Sequence, residues 1–145
     1  IIAGPCSAET REQTMETALK LARSGKVDVI RAGIWKPRTK PGTFEGIGEV
    51  GLEWLSEVKR QTGIPIAVEV ANHTHVQTAL KYGVDILWIG ARTTVSPFAV
   101  QEIAEALHDN KDVTVLVKNP MTPDINLWEG AVKRLIAEGV QEKSI

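Results

Sequence analysis

The feature that most constrains this chain is its alternation of short apolar runs with longer helical periods, five times in succession. The runs are 1–5, 27–32, 65–70, 86–89 and 113–117, apolar at consecutive positions. That pattern predicts parallel strands covered on both faces rather than strands with one wet face. The intervening helices carry readable ends. Thr10 with Gln13 three residues on is a capping-box pattern. Met15, Ala18, Leu19 and Ala22 then recur at helical spacing, and Gly25 closes the segment. The second helix carries Leu52, Leu55 and Val58 and ends near Gly63. The third spans about Thr74 to Tyr82, with Val76, Ala79 and Leu80 facing inward and Gly83 as its stop. The fourth opens at Ser96-Pro97, a cap followed by proline in the first turn. The fifth places Leu127, Ala131, Leu135 and Ile136 inward and ends at Gly139.

Five βα units admit two architectures. A doubly wound sheet of flavodoxin type would be complete at 145 residues. An eight-unit barrel needs about 250 residues, so the chain would be its first part. The expectation here is the partial (β/α)8 barrel, with strands in sequential order and no internal domain boundary over 1–145. Two observations favour it. Ile1 already stands inside an apolar run, and Lys143-Ser-Ile145 reads as the opening of a sixth strand, so the chain reads as a fragment. Polar groups also follow every strand: Cys6, Arg31 to Arg38, Glu69, Arg92 and Lys118. A barrel would gather all five strand ends at one mouth.

Composition narrows the function classes. Apolar residues make up 43% of the chain, which excludes disorder. The net charge of -1, from 17 basic and 18 acidic residues, argues against a nucleic-acid platform. No apolar run reaches the length of a membrane span. The single cysteine excludes an internal disulfide framework and fits a reducing, cytoplasmic setting.

The cations are concentrated where they matter. Arg31, Lys36 and Arg38 lie within eight residues, where the second strand gives way to a Pro/Gly-rich loop. Arg92 and Lys118 end the fourth and fifth strands. Phosphate and carboxylate need convergent donors, so this set reads as an anion site. The plain alternative for any one of them is a solvated basic side chain at a loop edge. Gly33, Gly42, Gly46 and Gly48 allow close approach of backbone to a ligand, and Pro37 and Pro41 stiffen the loop.

Other polar residues are more ambiguous. Cys6 is a metal ligand, a nucleophile or a small buried residue; no histidine partner for a nucleophile is evident. Glu69, in the apolar run Val68-Glu-Val70, needs a partner and would orient Lys36 or Lys118. His73 and His75 read as capping or solvated, and His108 as complementing the end of the fourth helix. Trp54, Trp88 and Trp128 read as packing, with Trp35 set apart by its place in the cationic loop.

Together, Ala3-Gly-Pro-Cys-Ser7, Lys36-Pro-Arg-Thr39, Ile89-Gly-Ala-Arg-Thr93 and Val117-Lys-Asn119 resemble the 3-deoxy-D-arabino-heptulosonate 7-phosphate (DAHP) synthases in order and approximate spacing. The wording around the cationic loop is similar to the bacterial form sometimes fused to chorismate mutase. The sister 3-deoxy-D-manno-octulosonate 8-phosphate synthases share the barrel but lack the Lys-Pro-Arg-Thr loop for a four-carbon sugar phosphate. The resemblance implies condensation of phosphoenolpyruvate with erythrose 4-phosphate, the first step of the shikimate pathway, by a homo-oligomer. It implies that Arg31, Lys36, Arg92 and Lys118 hold phosphoenolpyruvate. Arg38 and Thr39 would hold the sugar phosphate, with Lys36 near its aldehyde. Glu69 would buttress the lysines or position water. Lys36, Glu69 and Lys118 are thus the implied catalytic residues. Cys6 would be one ligand of a divalent metal of the manganese, iron, cobalt or zinc type. The family's other ligands, a histidine, a glutamate and an aspartate, come from later strands, so the chain alone is expected to be inactive. The different-class alternative is a non-catalytic phosphate-binding domain with strand order 2-1-3-4-5.

Overall fold

The computed structural model describes residues 1–110 and 113–145. Five strands, β1 (Ile2–Ala3), β2 (Val29–Arg31), β3 (Ile66–Val70), β4 (Ile86–Ile89) and β5 (Thr114–Val117), form one sheet in the order β1-β2-β3-β4-β5. The pairs β1–β2, β2–β3 and β4–β5 are parallel. Sequential order is the arrangement of a partial barrel and excludes the 2-1-3-4-5 order of the doubly wound alternative. The helices are α1 (Arg11–Arg23), α2 (Val50–Thr62), α3 (His73–Lys81), α4 (Ala91–Thr94), α5 (Pro97–Ala106) and α6 (Ile125–Ala137).

Local chemistry accounts for the helix ends. The Gln13 backbone N–H donates to Thr10 Oγ1 at 3.1 Å, as expected of a cap. The return half of the capping box is displaced. Gln13 Oε1 accepts from the Glu9 N–H, and its Nε2 donates to the Ser7 carbonyl. Ser96 caps α5 through the Ala99 N–H, with Pro97 at the first turn. Asp124 caps α6 by accepting from the Asn126 and Leu127 N–H groups. Asn72 Oδ1 accepts from the His75 N–H and opens α3.

The chain divides into two compact units, the first comprising Ile1–Glu69 with Tyr82–Asp85, the second Val70–Lys81 with Ile86–Ile145. In the first, α1 packs on α2. Met15, Ala18, Ile30 and Val58 are buried together, with Val27 and Ile64 against them. A polar clasp ties its elements: Lys59 Nζ donates to the Gly83 carbonyl and to Asp85 Oδ1, while Asp85 Oδ2 accepts from the Ile66 N–H. In the second unit α5 packs between α3 and α6. Leu87, Ile89, Val100, Ile103, Val115 and Leu135 are fully buried.

Several expectations are corrected. Lys143 and Ser144 lie in a 3-10 turn, Glu142–Ser144, not in a strand. The Ser144 N–H bonds the Gln141 carbonyl, so the local turn takes the backbone groups that a sheet would use. Ile136, read as inward, is 40% exposed, while Ala131 and Leu135 are buried. His108 does not serve its own helix, which ends at Ala106. Its Nδ1 lies 3.0 Å from the carbonyl of Glu138, the residue capping the C-terminus of α6. No helix among the described residues is long and apolar enough to cross a membrane.

Candidate active site

In the first unit the site is built on the ends of β1 and β2. The Arg31 guanidinium donates to the Pro5 carbonyl at 2.9 Å. Lys36 folds back so that Nζ donates to the Cys6 carbonyl at 2.8 Å and lies 3.5 Å from Cys6 Sγ. Gly33 makes that approach possible. A Cβ there would stand 2.4 Å from the Cys6 carbonyl oxygen and 2.8 Å from Lys36 Nζ. The Ala8 N–H also bonds the Gly33 carbonyl, so the segment after β1 is fastened to the segment after β2.

The electrostatic result is read at Cys6, which is exposed. The Lys36 ammonium holds the thiol below the usual thiol range, first by its charge and then by its hydrogen bond to sulfur. Desolvation opposes this, and Arg31 adds a smaller downward push. Cys6 therefore suits a metal as a single thiolate donor. Among the described residues no group of three or more His, Cys, Asp or Glu is placed to hold an ion, so a full donor set is not assembled here.

The cationic loop closes on itself. The Lys36 N–H bonds the Glu45 carbonyl at 2.8 Å, and the Gly48 N–H bonds the Ile34 carbonyl at 2.9 Å. Arg38 Nε donates to the Phe44 carbonyl at 3.1 Å, and Thr43 Oγ1 to the Lys40 carbonyl. Gly46 is indispensable to this closure, because its φ is +104° and a Cβ would meet the Ile34 carbonyl oxygen at 2.0 Å. Arg38 and Thr39 are both exposed on the loop. Trp35 is half-buried beneath it.

Glu69 is half-buried near the end of β3, and among the described residues no ion pair joins it to Lys36. Sequence reading had no means of weighing the alternative that Lys36 takes, a backbone carbonyl.

In the second unit Arg92 and Lys118 are exposed. Arg92 does not end β4, as the sequence suggested; it lies inside the short helix α4. The Thr93 and Thr94 N–H groups both bond the Gly90 carbonyl. Lys118 follows β5, and its N–H bonds the Ile89 carbonyl at 3.1 Å. Thr94, 2% exposed, reaches the Lys118 carbonyl with its hydroxyl at 2.9 Å. A cleft of about 400 Å³ lies beyond, lined by Asn119, Pro120 and Trp128 among others. Trp128 is fixed by its indole N–H on the Val117 carbonyl. His73 is exposed, whereas His75 is half-buried, accepts from the Ala71 N–H at Nδ1, and is held below the usual histidine range by burial.

Sequence reasoning missed Thr94 and Asp85. Thr94 sits in a Thr-Thr pair that no spacing rule distinguishes. Asp85 precedes β4 as an ordinary turn acid, and only the fold brings it to Lys59.

The model of the DAHP synthetase I family matches residues 1–145. The phospho-2-dehydro-3-deoxyheptonate aldolase of Thermotoga maritima is 47% identical over 92 residues, covering 63% of this chain and 27% of that protein. The 2-dehydro-3-deoxyphosphooctonate aldolase of Stenotrophomonas maltophilia is 38% identical over 80 residues, covering 51% of this chain and 29% of that protein. Among solved structures, DAHP synthase from Thermotoga maritima superposes with a TM-score of 0.81 at 32% identity, covering 97% of this chain and 38% of that one. A truncated form of the Thermotoga maritima enzyme gives 0.76 at 31% identity, covering 97% of this chain and 48% of that one. The chain thus spans less than half the length of these relatives. With its whole length matched, its strands in barrel order and its cations on the segments after the strands, the chain belongs to the DAHP synthetase I family.

Proposed function

We propose that this chain carries the phosphoenolpyruvate-binding and sugar-phosphate-binding elements of a DAHP synthase. The parent activity joins phosphoenolpyruvate to erythrose 4-phosphate. A carbon–carbon bond forms between the enol carbon and the aldehyde carbon, one water is consumed, and inorganic phosphate leaves. The observation that carries the reading is the loop from Arg31 to Thr39, whose cations are held by main-chain carbonyls in a chain matched throughout by the family. The higher identity to a heptonate aldolase, 47% against 38% for an octonate aldolase, supports the four-carbon acceptor.

The roles follow from the donors. Arg31, Lys36, Arg92 and Lys118 bind the phosphate and carboxylate of phosphoenolpyruvate, because dense positive charge tolerates these anions and steadies the departing phosphate. Arg38 and Thr39 bind the phosphate of erythrose 4-phosphate from the closed loop. Lys36 also assists at the aldehyde oxygen. Glu69 offsets the positive charge and orients water. Positioning of this kind replaces a chance encounter by an oriented one. Cys6 offers a thiolate to a divalent metal of the manganese, iron, cobalt or zinc type, with further donors from outside this chain. When bound, such an ion supplies Lewis-acid polarisation of the aldehyde. A lone free thiol supports a cytoplasmic setting. A homo-oligomer belongs to the same reading.

The test titrates the chain separately with phosphoenolpyruvate, erythrose 4-phosphate and a five-carbon aldose phosphate, followed by amide NMR. The expected result is that the first shifts Arg31, Lys36, Arg92 and Lys118, the second shifts Arg38 and Thr39, and the third binds more weakly than the second. No binding by phosphoenolpyruvate, or preference for the five-carbon sugar, overturns the reading. Multiple-turnover phosphate release is expected to be absent.

A further inference from the structure

We propose that Thr94 is a positioning residue, whose hydroxyl pins the end of β5 to the turn of α4 and thereby sets the spacing of Arg92 and Lys118 for a shared anion. The inference rests on the reading that these two residues bind phosphoenolpyruvate.

The hydrogen-bond arithmetic singles out this hydroxyl. Thr94 Oγ1 lies 2.9 Å from the Lys118 carbonyl oxygen and 3.1 Å from the Gly90 carbonyl oxygen. A threonine hydroxyl has one proton to give. The Gly90 carbonyl already accepts two N–H groups, from Thr93 and Thr94, each at 2.9 Å. Among the described residues the Lys118 carbonyl has no other donor. The proton is therefore worth more on Lys118. The hydroxyl itself is buried, since Thr94 is 2% exposed, so its proton is committed to a protein acceptor rather than to solvent.

Position gives the bond its consequence. Thr94 stands two residues after Arg92 in the same helical turn. Lys118 is the first residue beyond β5, and its own N–H is tied to the Ile89 carbonyl. Everything after it, from Asn119 to Asp124, is exposed loop except Pro120. The bonds from Thr94 and to Ile89 thus hold both sides of Lys118 before the chain enters that loop. An anion gripped by two cations on separate segments needs their spacing fixed, and displacement of about 1 Å is enough to cost binding or rate severely.

The test compares Thr94→Val, Thr94→Ser and Thr94→Ala by amide hydrogen exchange and by ligand titration. Thr94→Val is expected to raise exchange at the Lys118 amide roughly tenfold, and to weaken phosphoenolpyruvate binding by a similar factor. Erythrose 4-phosphate, held by Arg38 and Thr39, is expected to bind as before, an asymmetry that general loss of structure does not produce. Thr94→Ser keeps the hydroxyl and is expected to retain both properties. If Thr94→Val does not fold, Thr94→Ala against Thr94→Ser carries the same comparison. Wild-type affinity in the Val and Ala variants overturns the inference, as does equal loss in Ser. The underlying reading fails separately: in that case Arg92→Gln and Lys118→Gln bind phosphoenolpyruvate as well as wild type.

Discussion

The two units fasten different parts of the residues that carry their cations. In the first, the charged groups themselves are held: Arg31 by the Pro5 carbonyl, Lys36 by the Cys6 carbonyl and Arg38 by the Phe44 carbonyl. In the second, the main chain that carries Lys118 is held, through Thr94 on the Lys118 carbonyl and the Lys118 N–H on the Ile89 carbonyl. Held side chains give a donor whose direction is set before the ligand arrives, at the expense of a bond that the ligand must displace. Held backbone sets the origin of the side chain.

The largest way to break this contrast is at Gly46. Gly46→Ala forces a Cβ into the Ile34 carbonyl oxygen at a left-handed φ, and is expected to destabilise the chain by more than ~2 kcal/mol. Gly42→Ala is the control: its φ is +77°, yet nothing lies within 4 Å, so only the conformational penalty of about 1 kcal/mol applies. Denaturant midpoints of the two variants decide whether loop closure or mere backbone freedom is at stake. Equal losses would refute the closure argument.

Helix caps provide a smaller and more even test. Thr10→Ala in the first unit and Asp124→Ala in the second each remove a cap bond, and each is expected to cost about 1 kcal/mol by urea unfolding. A loss in only one unit would show that the other helix end is held by packing alone.

The held lysine is sharpened by thiol chemistry. Cys6 is expected to alkylate with iodoacetamide along a pH profile whose midpoint lies below that of a free cysteine. Lys36→Met removes the main cause, so the midpoint is expected to move up and the rate at neutral pH to fall several-fold. An unmoved midpoint would mean that Lys36 does not rest on Cys6 in solution.

The smallest effect is at His75. Its folded pKa is depressed by burial, so the unfolded chain takes up a proton first as pH falls. The stability it contributes is fully present above the ordinary histidine value of about 6.5 and declines below it, toward the lower folded value. His75→Asn is expected to flatten the pH dependence of thermal melting between pH 7 and about 5. A slope unchanged in the variant would assign the dependence to other groups.

Much of this was legible without coordinates. Consecutive apolar positions gave parallel strands, and Thr10, Ser96 and the closing glycines bounded helices, because these signals act locally through one or two hydrogen bonds. What escaped was decided across the fold. Arg92 was read as a strand end, since no rule tells a four-residue turn from the end of an apolar run. Charge alone places Glu69 beside Lys36 or Lys118, whereas the Lys36 ammonium rests on a main-chain carbonyl. His108 was assigned to the nearest helix end in sequence, whereas the fold delivers a different one. Ile136 followed the helical period but lies past the strip that its neighbours cover.

The self-closure of the segment from Ile34 to Gly48 has a consequence for descent. Its two ends are stitched to each other by main-chain bonds, so the tip from Pro37 to Phe44 can change length or composition while the sheet beneath keeps its register. Such a closed segment can vary at its tip from one descendant to the next without re-registering the strands that carry it.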